Sequence, residues 1–486
     1  MKAAVPRWVF VALIGLLGPV LIWATVIHTG LSGDVFWQWA AGQYMLLHHH
    51  VLYTDPFSYS LPGHHWVTEE WGYEVSLAAA VKWLGPWAYW LFSAGLATVV
   101  VLFVAGRLWA RHVTASKIAL ITVIVACSLL AFLRVRPQVV SYVFFAGELW
   151  LLDAARVKPR RIWWMPALLW IWTNFHGSFL LGFLVLFLQG IYIAWPISKG
   201  RLTTPHTKVT LGTWGLVSGV AVLGSWVNPH GWGIWAYATR VSFSSQISSM
   251  IAEWQSPNFH QHWILLMIMG PLTIILLASQ LTAKKVEWPE FILLGGTFVA
   301  VLESLRFLPY YAIVWPVLLA ELTPRFEFRR VKTLIGIPVM LAVLGYTLGH
   351  QAILRPGQVS RSVPQKAVSY LEHHTGRVFA MYHWGGYLIA KQIKVFVDGR
   401  TDFYLGSPVL PDYLAVKQLT KDPNLVWRRY QVHYVLWQPH TAVATFLSED
   451  SSQWQEVYAS KTAVVYKHRG LWGITAQVQT QTGGSA

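Results

Sequence analysis

The chain has 486 residues, 55% of them hydrophobic and only 12% charged, with 29 Trp. So little charge cannot clothe a water-soluble protein of this length, which excludes both a soluble globular enzyme and a disordered chain. The formal charge of +16 would suggest nucleic acid in a soluble protein, but the Lys and Arg residues fall in short clusters between apolar segments, a pattern that orients a membrane protein.

A bilayer core of about 30 Å takes roughly twenty apolar residues per helix, and the sequence offers about 11 such segments. They run 8–27, 86–106, 117–133, 138–154, 162–175, 177–196, 209–227, 263–280, 289–305, 307–322 and 333–349. The first follows Lys2 and Arg7 and is longer than the apolar region of a cleaved signal peptide, so it reads as an uncleaved span with its N-terminus inside. From that start, basic clusters at 107–117, 156–161, 199–208, 284–285 and 325–332 fall on the inner side. The outer connections before residue 350 carry only Arg134, Arg136, Arg240 and Arg306. The single Cys, Cys127, lies inside an apolar segment, so no intrachain disulfide can form.

The first outer stretch, 28–85, holds two Trp-rich helical patterns, "VFWQWAAGQYMLL" and "WGYEVSLAAAVKWLG", suited to lying at a membrane interface. Beyond residue 350 the composition changes. "GRVFAMYHWGGYLIAKQIKVFVDGRTDFY" reads as strand, short helix, strand, and "YQVHYVLWQP" and "EVYASKTAVVYKH" read as further strands. The expected architecture is a polytopic α-helical membrane domain over 1–349 and a small extracytoplasmic α/β domain over 350–486, with a disordered tail from about 476.

In this register each outward span delivers polar residues to one membrane face. Asp34, Asp55, Glu69 and Glu70 lie in the first outer stretch, Arg134 and Arg136 in "FLRVRPQ", Asn174 and His176 in "TNFHG", and Asn228 and His230 in "VNPHG". Glu253 follows in "EWQSP" and Arg306 in "ESLRF". Charged groups beside a bilayer are costly unless they serve a site. A carboxylate can take the proton of an acceptor hydroxyl, and guanidinium groups bind phosphate through charged hydrogen bonds. The combination suggests displacement of a phosphate leaving group. Outside the cytosol, that needs an activated donor residing in the membrane, and a polyprenyl-phosphate sugar fits.

Simpler roles exist for the same residues. Asp34 precedes a helical run and could cap it, Glu69 and Glu70 could favour a helix start, and Arg134 and Arg136 could reach along the interface. His48, His49 and His50 are adjacent on a helical pattern and diverge, which disfavours a metal site. His260 and His262 are better spaced. Asp398 in "VDGRTDFY" suits an ion pair with Arg400 or the turn after a strand.

The first-loop Asp within an interfacial helix, followed by "DPFSYSLPGHHWVTEEWGYE", is similar to the GT-C superfamily of membrane glycosyltransferases. More narrowly, it resembles glycosyltransferase family 39 and the protein O-mannosyltransferases, in a bacterial version with "RPQ", "NFHG", "NPHG", "EWQSP" and "DGRTDFY" segments. The resemblance implies a hexosyltransferase that draws on a polyprenyl-phosphate sugar and works at the outer face of the plasma membrane with inversion. Asp34 would be the catalytic base, and Glu69, Glu70, Arg134, Arg136, His176, His230 and Arg306 would bind substrate. The acceptor is left open as protein, lipid or polymer; membrane lipids are partners and nucleic acid is not. Many members carry a paired acid where this chain has Gly33-Asp34, which leaves the partner role to Glu69 or Glu70. No clear ligand set for a divalent cation stands in the sequence. The rival classes are a transporter or flippase, for which Glu148 and Glu303 are the candidate groups, and a scaffold without activity.

Overall fold

A computed structural model describes residues 30–198, 209–322 and 358–470, apart from positions 32, 133, 252, 253, 259, 261, 262 and 283–287. The expected spans at 8–27 and 333–349, the tail from 476, Glu253 and His262 lie outside the described residues. The chain divides into two compact units. One comprises residues 1–31, 38–53 and 67–360, the other residues 32–37, 54–66 and 361–486.

The first unit is helical, and every predicted span within the described residues is a helix. After α1 (Val35–His48) and α2 (Trp71–Leu84) come α3 (Trp87–Ala110), α4 (Ala115–Leu129), α5 (Pro137–Val157), α6 (Met165–Phe175) and α7 (Phe179–Ser198). They are followed by α8 (Leu211–Ser225), α9 (Gly233–Ser242), α10 (Ser245–Met250), α11 (Trp263–Thr282), α12 (Trp288–Glu303) and α13 (Leu308–Leu322). Among the described residues only α3 is both long and apolar enough to cross a bilayer by itself, with 24 residues at mean hydropathy 2.0. The expected count of eleven spans is therefore not reproduced. Pro137 stands in the first turn of α5, which runs unbroken through Glu148 and Asp153, and a six-residue 3₁₀ turn, Pro159–Trp164, precedes α6.

Helices α3, α5, α6, α12 and α13 enclose an apolar core that includes Val104, Leu108, Phe145, Leu149, Trp172, Val301 and Val314. Away from the motif-bearing loops, buried charges tie three of them together. Arg107 on α3 bonds Asp153 on α5 and Glu290 on α12, each at 2.7 Å, and Arg111 pairs with the same two carboxylates. Glu148, mid-way along α5, is fully buried with no hydrogen-bond partner for either carboxyl oxygen. No second ionisable side chain pairs with it among the described residues, and Glu303 is exposed.

In the second unit a four-stranded sheet has the order β1-β2-β4-β3, formed by β1 (Val378–Ala380), β2 (Tyr434–Trp437), β3 (Trp454–Ala459) and β4 (Val464–His468). β1 and β2 run parallel, so the chain between them must cross over, and it does so through the helices Gly385–Ala390, Val409–Gln418 and Pro423–Arg429. β1 and β2 are buried at every position and read as continuous apolar runs. Phe379 stacks on Trp437 with ring centroids 5.8 Å apart, and Trp427 packs edge-on against Trp454 at 4.9 Å. The hairpin β3–β4 was legible in "EVYASKTAVVYKH"; the second strand expected in "IKVFVDGR" is reduced to an isolated bridge from Val395 to Val378 and Ser58.

The second unit also holds a buried ion triad. The Arg400 guanidinium bonds Asp398 at 2.8 and 2.7 Å and Asp55 at 2.7 Å, and rests on the Trp66 ring, 4.6 Å from its centroid. The expected pairing of Asp398 with Arg400 is present, and its Oδ1 also accepts the Arg400 backbone N–H at 3.0 Å; no full strand precedes it. Asp55, grouped with the outer acids in the sequence, is spent here: it also accepts the Phe57 and Ser58 amides at 3.0 and 2.9 Å. Its two carboxylate partners hold Arg400 well above the usual guanidinium range, against its burial. Removing one member of such a cluster strands the others. Arg400→Met is expected to destabilise this unit by roughly 3–5 kcal/mol, read as a lower melting temperature of the purified chain; an unchanged melting temperature would refute this role.

Candidate functional site

The polar end of the first unit is organised by one side chain. The Asn174 amide, at the end of α6, accepts from Trp71 Nε1 at 3.0 Å and from Asn228 Nδ2 at 3.2 Å, and donates to the Trp170 and Val227 carbonyls at 2.9 and 3.2 Å. Three motifs from distant parts of the chain, "EEWG", "TNFHG" and "VNPHG", are thereby joined. Close backbone approach completes the fit: a Cβ on Gly72 would lie 2.6 Å from the Asn174 carbonyl oxygen, and one on Gly177 would overlap the Glu69 carboxylate. Gly72 and Gly177 act through close packing, since neither has a positive φ, whereas Gly231 of "VNPHG" has φ 56° and serves a turn.

This packing sets Glu70 against His176. Glu70 occupies the residue before α2, yet its side chain does not cap the helix. Instead Oε2 accepts from Gln38 Nε2 at 3.0 Å, and Oε1 faces His176 Nε2 at 3.7 Å. The Ser178 backbone N–H donates to His176 Nδ1 at 3.1 Å. A nitrogen that accepts carries no proton, so in the neutral ring the proton sits on Nε2 and points at Glu70. Burial, and then the nearby Arg306 charge, push the His176 imidazole down to about 3. Behind it, Ser178 Oγ lies 2.8 Å from His176 Nδ1 and 2.7 Å from Ser141 Oγ, and the Tyr310 hydroxyl joins both serines.

Arg306 belongs to the same end. Its guanidinium carbon lies 3.4 Å from the centre of the Trp254 ring, and Leu305 N–H donates to the Gln255 carbonyl at 3.2 Å, so "EWQSP" and "ESLRF" meet. Among the described residues Arg306 pairs with no carboxylate, and its electrostatic neighbours are His176, Tyr310 and Tyr142. Arg136 directly precedes α5, with Pro137 in the first helical turn, and lies within electrostatic reach of Tyr73, as Glu70 does. Arg134 is exposed and pairs with no acid among the described residues. His230 stands against Tyr53, ring centroids 5.6 Å apart. The first unit thus gathers Glu69, Glu70, Arg136, His176 and Arg306 around its polar end. Sequence reasoning missed Gln38, Ser141, Ser178, Trp254 and Tyr310, ordinary residues within helices or beside a named motif.

Asp34 belongs to the second unit. Its Oδ1 accepts from Trp37 Nε1 at 3.3 Å, and the backbone of Gly399 lies so near that a Cβ there would overlap the carboxylate. Burial, followed by the Asp34 charge, keeps the Tyr382 phenol well above its usual range. The glycine of "VDGRTDFY" therefore makes room for Asp34. Among the described residues no three His, Cys, Asp or Glu side chains converge as a metal site.

The depressed imidazole of His176 has a consequence for stability. An unfolded histidine takes up a proton near 6.5, whereas the folded one stays neutral down to about 3, so stability declines as pH falls from 6.5 towards 3. His176→Gln is expected to flatten that decline, as followed by thermal unfolding from pH 7 to pH 4; an equally steep decline would contradict the assignment.

No family model and no curated protein matches the chain. Solved structures do. AglB, an archaeal oligosaccharyltransferase from Archaeoglobus fulgidus in complex with an inhibitory peptide and a dolichol-phosphate, matches with TM-score 0.62 at 11% identity, over 89% of this chain and 69% of its own. An Archaeoglobus fulgidus oligosaccharyltransferase tethered to an acceptor peptide gives 0.61 at 11%, over 88% and 68%. ArnT from Cupriavidus metallidurans, bound to undecaprenyl phosphate, gives 0.52 at 12%, over 95% and 98%. The narrower likeness to family 39 finds no support in these matches. At such identities the fold alone is shared: this chain is built like AglB and ArnT, in keeping with the architecture that the GT-C resemblance implied.

Proposed function

We propose that the protein is a membrane glycosyltransferase that moves a sugar from a polyprenyl phosphate to an acceptor hydroxyl on the extracytoplasmic side. The observation that carries this reading is Arg306, a largely enclosed cation with no carboxylate partner among the described residues, stacked on Trp254 beside neutral His176. A guanidinium left uncompensated in such surroundings suits an anion that arrives with the substrate. The structures of AglB with dolichol-phosphate and ArnT with undecaprenyl phosphate favour a lipid phosphate as that anion.

In the reaction, the acceptor oxygen attacks C1 of the sugar as Asp34 takes its proton. The bond from C1 to the phosphate oxygen breaks on the opposite face, so the configuration inverts. The electron pair leaves with the phosphate, whose growing charge Arg306 and Arg136 stabilise. Glu70, held between the Gln38 amide and His176, is oriented to accept hydrogen bonds from sugar or acceptor hydroxyls, and it is the better placed of the two glutamates for that role. Of the two arginines in "FLRVRPQ", Arg136 is preferred over exposed Arg134.

Purified protein incubated with polyprenyl-phosphate hexoses is expected to release polyprenyl phosphate and transfer or hydrolyse the sugar. Asp34→Asn should lower that turnover about 10²–10⁴-fold, and Arg306→Met about 10²-fold or more, with unchanged melting temperatures. Gly399→Ala removes no polar group but intrudes on Asp34, and it should also reduce turnover. Full activity of Asp34→Asn would defeat the proposal, as would wild-type protein inert towards every such donor.

A further inference from the structure

The turn that ends α1 brings together two histidines that a continuous helix would point apart. His48 is the last residue of α1, and His49 takes a left-handed backbone with φ 56°. A left-handed residue after a helix reverses the chain, so His50 folds back towards the last helical turn. The His48 and His50 rings lie with centroids 6.0 Å apart, the Tyr44 ring stacks on His48 at 3.9 Å, and it meets His50 edge-on at 6.2 Å. The divergence expected of neighbouring histidines on a helix therefore does not hold for this pair.

Hydrogen bonds fix what these rings present. His48 Nδ1 lies 2.9 Å from the Tyr44 carbonyl oxygen, and His50 Nδ1 lies 3.0 Å from the Val51 carbonyl oxygen. A carbonyl only accepts, so each Nδ1 carries a proton and donates it. In the neutral rings the lone pairs then sit on Nε2, and among the described residues neither Nε2 has a partner. Both side chains are exposed. An imidazole whose Nδ1–H is anchored on a backbone carbonyl is oriented to bind a metal ion through its other nitrogen.

The spacing suits a single ion. Two imidazoles that share an ion through nitrogens about 2.0–2.1 Å from it have ring centres roughly 5–6 Å apart, the separation found between His48 and His50. Neutral nitrogen ligands favour Zn²⁺ or Cu²⁺ over the hard, oxygen-seeking Mg²⁺ and Ca²⁺. We infer that His48 and His50 form a two-histidine site for a divalent ion of the zinc or copper type, each binding through Nε2, with water completing the coordination. Such an ion pins the turn leading to Tyr53, whose hydroxyl donates to the Pro229 carbonyl at 3.3 Å. The inference is independent of the transferase reading.

The test is calorimetric titration of the full chain, purified in detergent without a polyhistidine tag, with Zn²⁺, Cu²⁺ and Mg²⁺. The wild type is expected to bind one equivalent of Zn²⁺ more than the His48→Gln, His50→Gln double variant, and to bind Cu²⁺ more tightly still. Either single variant should weaken that equivalent about ten-fold or more. His49→Asn keeps a residue at ease in the left-handed conformation and should leave binding unchanged. Electron paramagnetic resonance of the Cu²⁺-loaded chain should show coupling to two nitrogens, reduced to one in each single variant. Identical titrations of wild type and double variant, Mg²⁺ binding as tight as Zn²⁺ binding, or a loss in His49→Asn equal to that in the double variant overturns the inference.

Discussion

The polar end of the helical unit depends on the Asn174 amide, which has a partner for its oxygen and for both its hydrogens. An amide is suited to this because it donates and accepts at once, so a single side chain can tie an indole, a second amide and two free carbonyls. A buried carboxylate or ammonium could not satisfy the same set without an added counter-charge. Because the Trp71 indole is one of the tied groups, the start of α2 is fixed, and with it Glu69 and Glu70. Remove Asn174 and the acids lose their bearing on His176.

That arrangement also explains why His176 is neutral in company that includes a carboxylate. Glu70 faces it at 3.7 Å, longer than a charged hydrogen bond, while burial and Arg306 oppose a second positive charge. Neutral His176 leaves Arg306 as the principal cation of that cluster. The surrounding groups, Tyr310, Ser178 and Ser141, are hydroxyls that can turn to donate or accept.

Much of this was legible in the sequence. The described helices fall where apolar runs occur, and the polar motifs "EEWG", "TNFHG" and "VNPHG" meet, as do "EWQSP" and "ESLRF". What could not be read was which residue of each pair matters. Glu69 and Glu70 are adjacent, Arg134 and Arg136 are one residue apart, and only packing separates exposed Arg134 from half-buried Arg136. The serine and tyrosine hydroxyls behind His176 gave no signal, since Ser141 and Tyr310 occur within helices like any other small or aromatic residue. The grouping of Asp55 with the other outer acids failed for a related reason. Its partner Arg400 is 345 positions away, and no local pattern reveals a pairing at that distance.

The open side of the sheet in the second unit has a consequence of its own. β3 is the outermost strand; it exposes Gln455 and Glu456, and its register against β4 slips between Glu456 and Tyr458. A kinked, charged margin is a poor template for another backbone. At this rim, growth by strand addition is disfavoured, and an extended polymer touching it would be held chiefly by side chains.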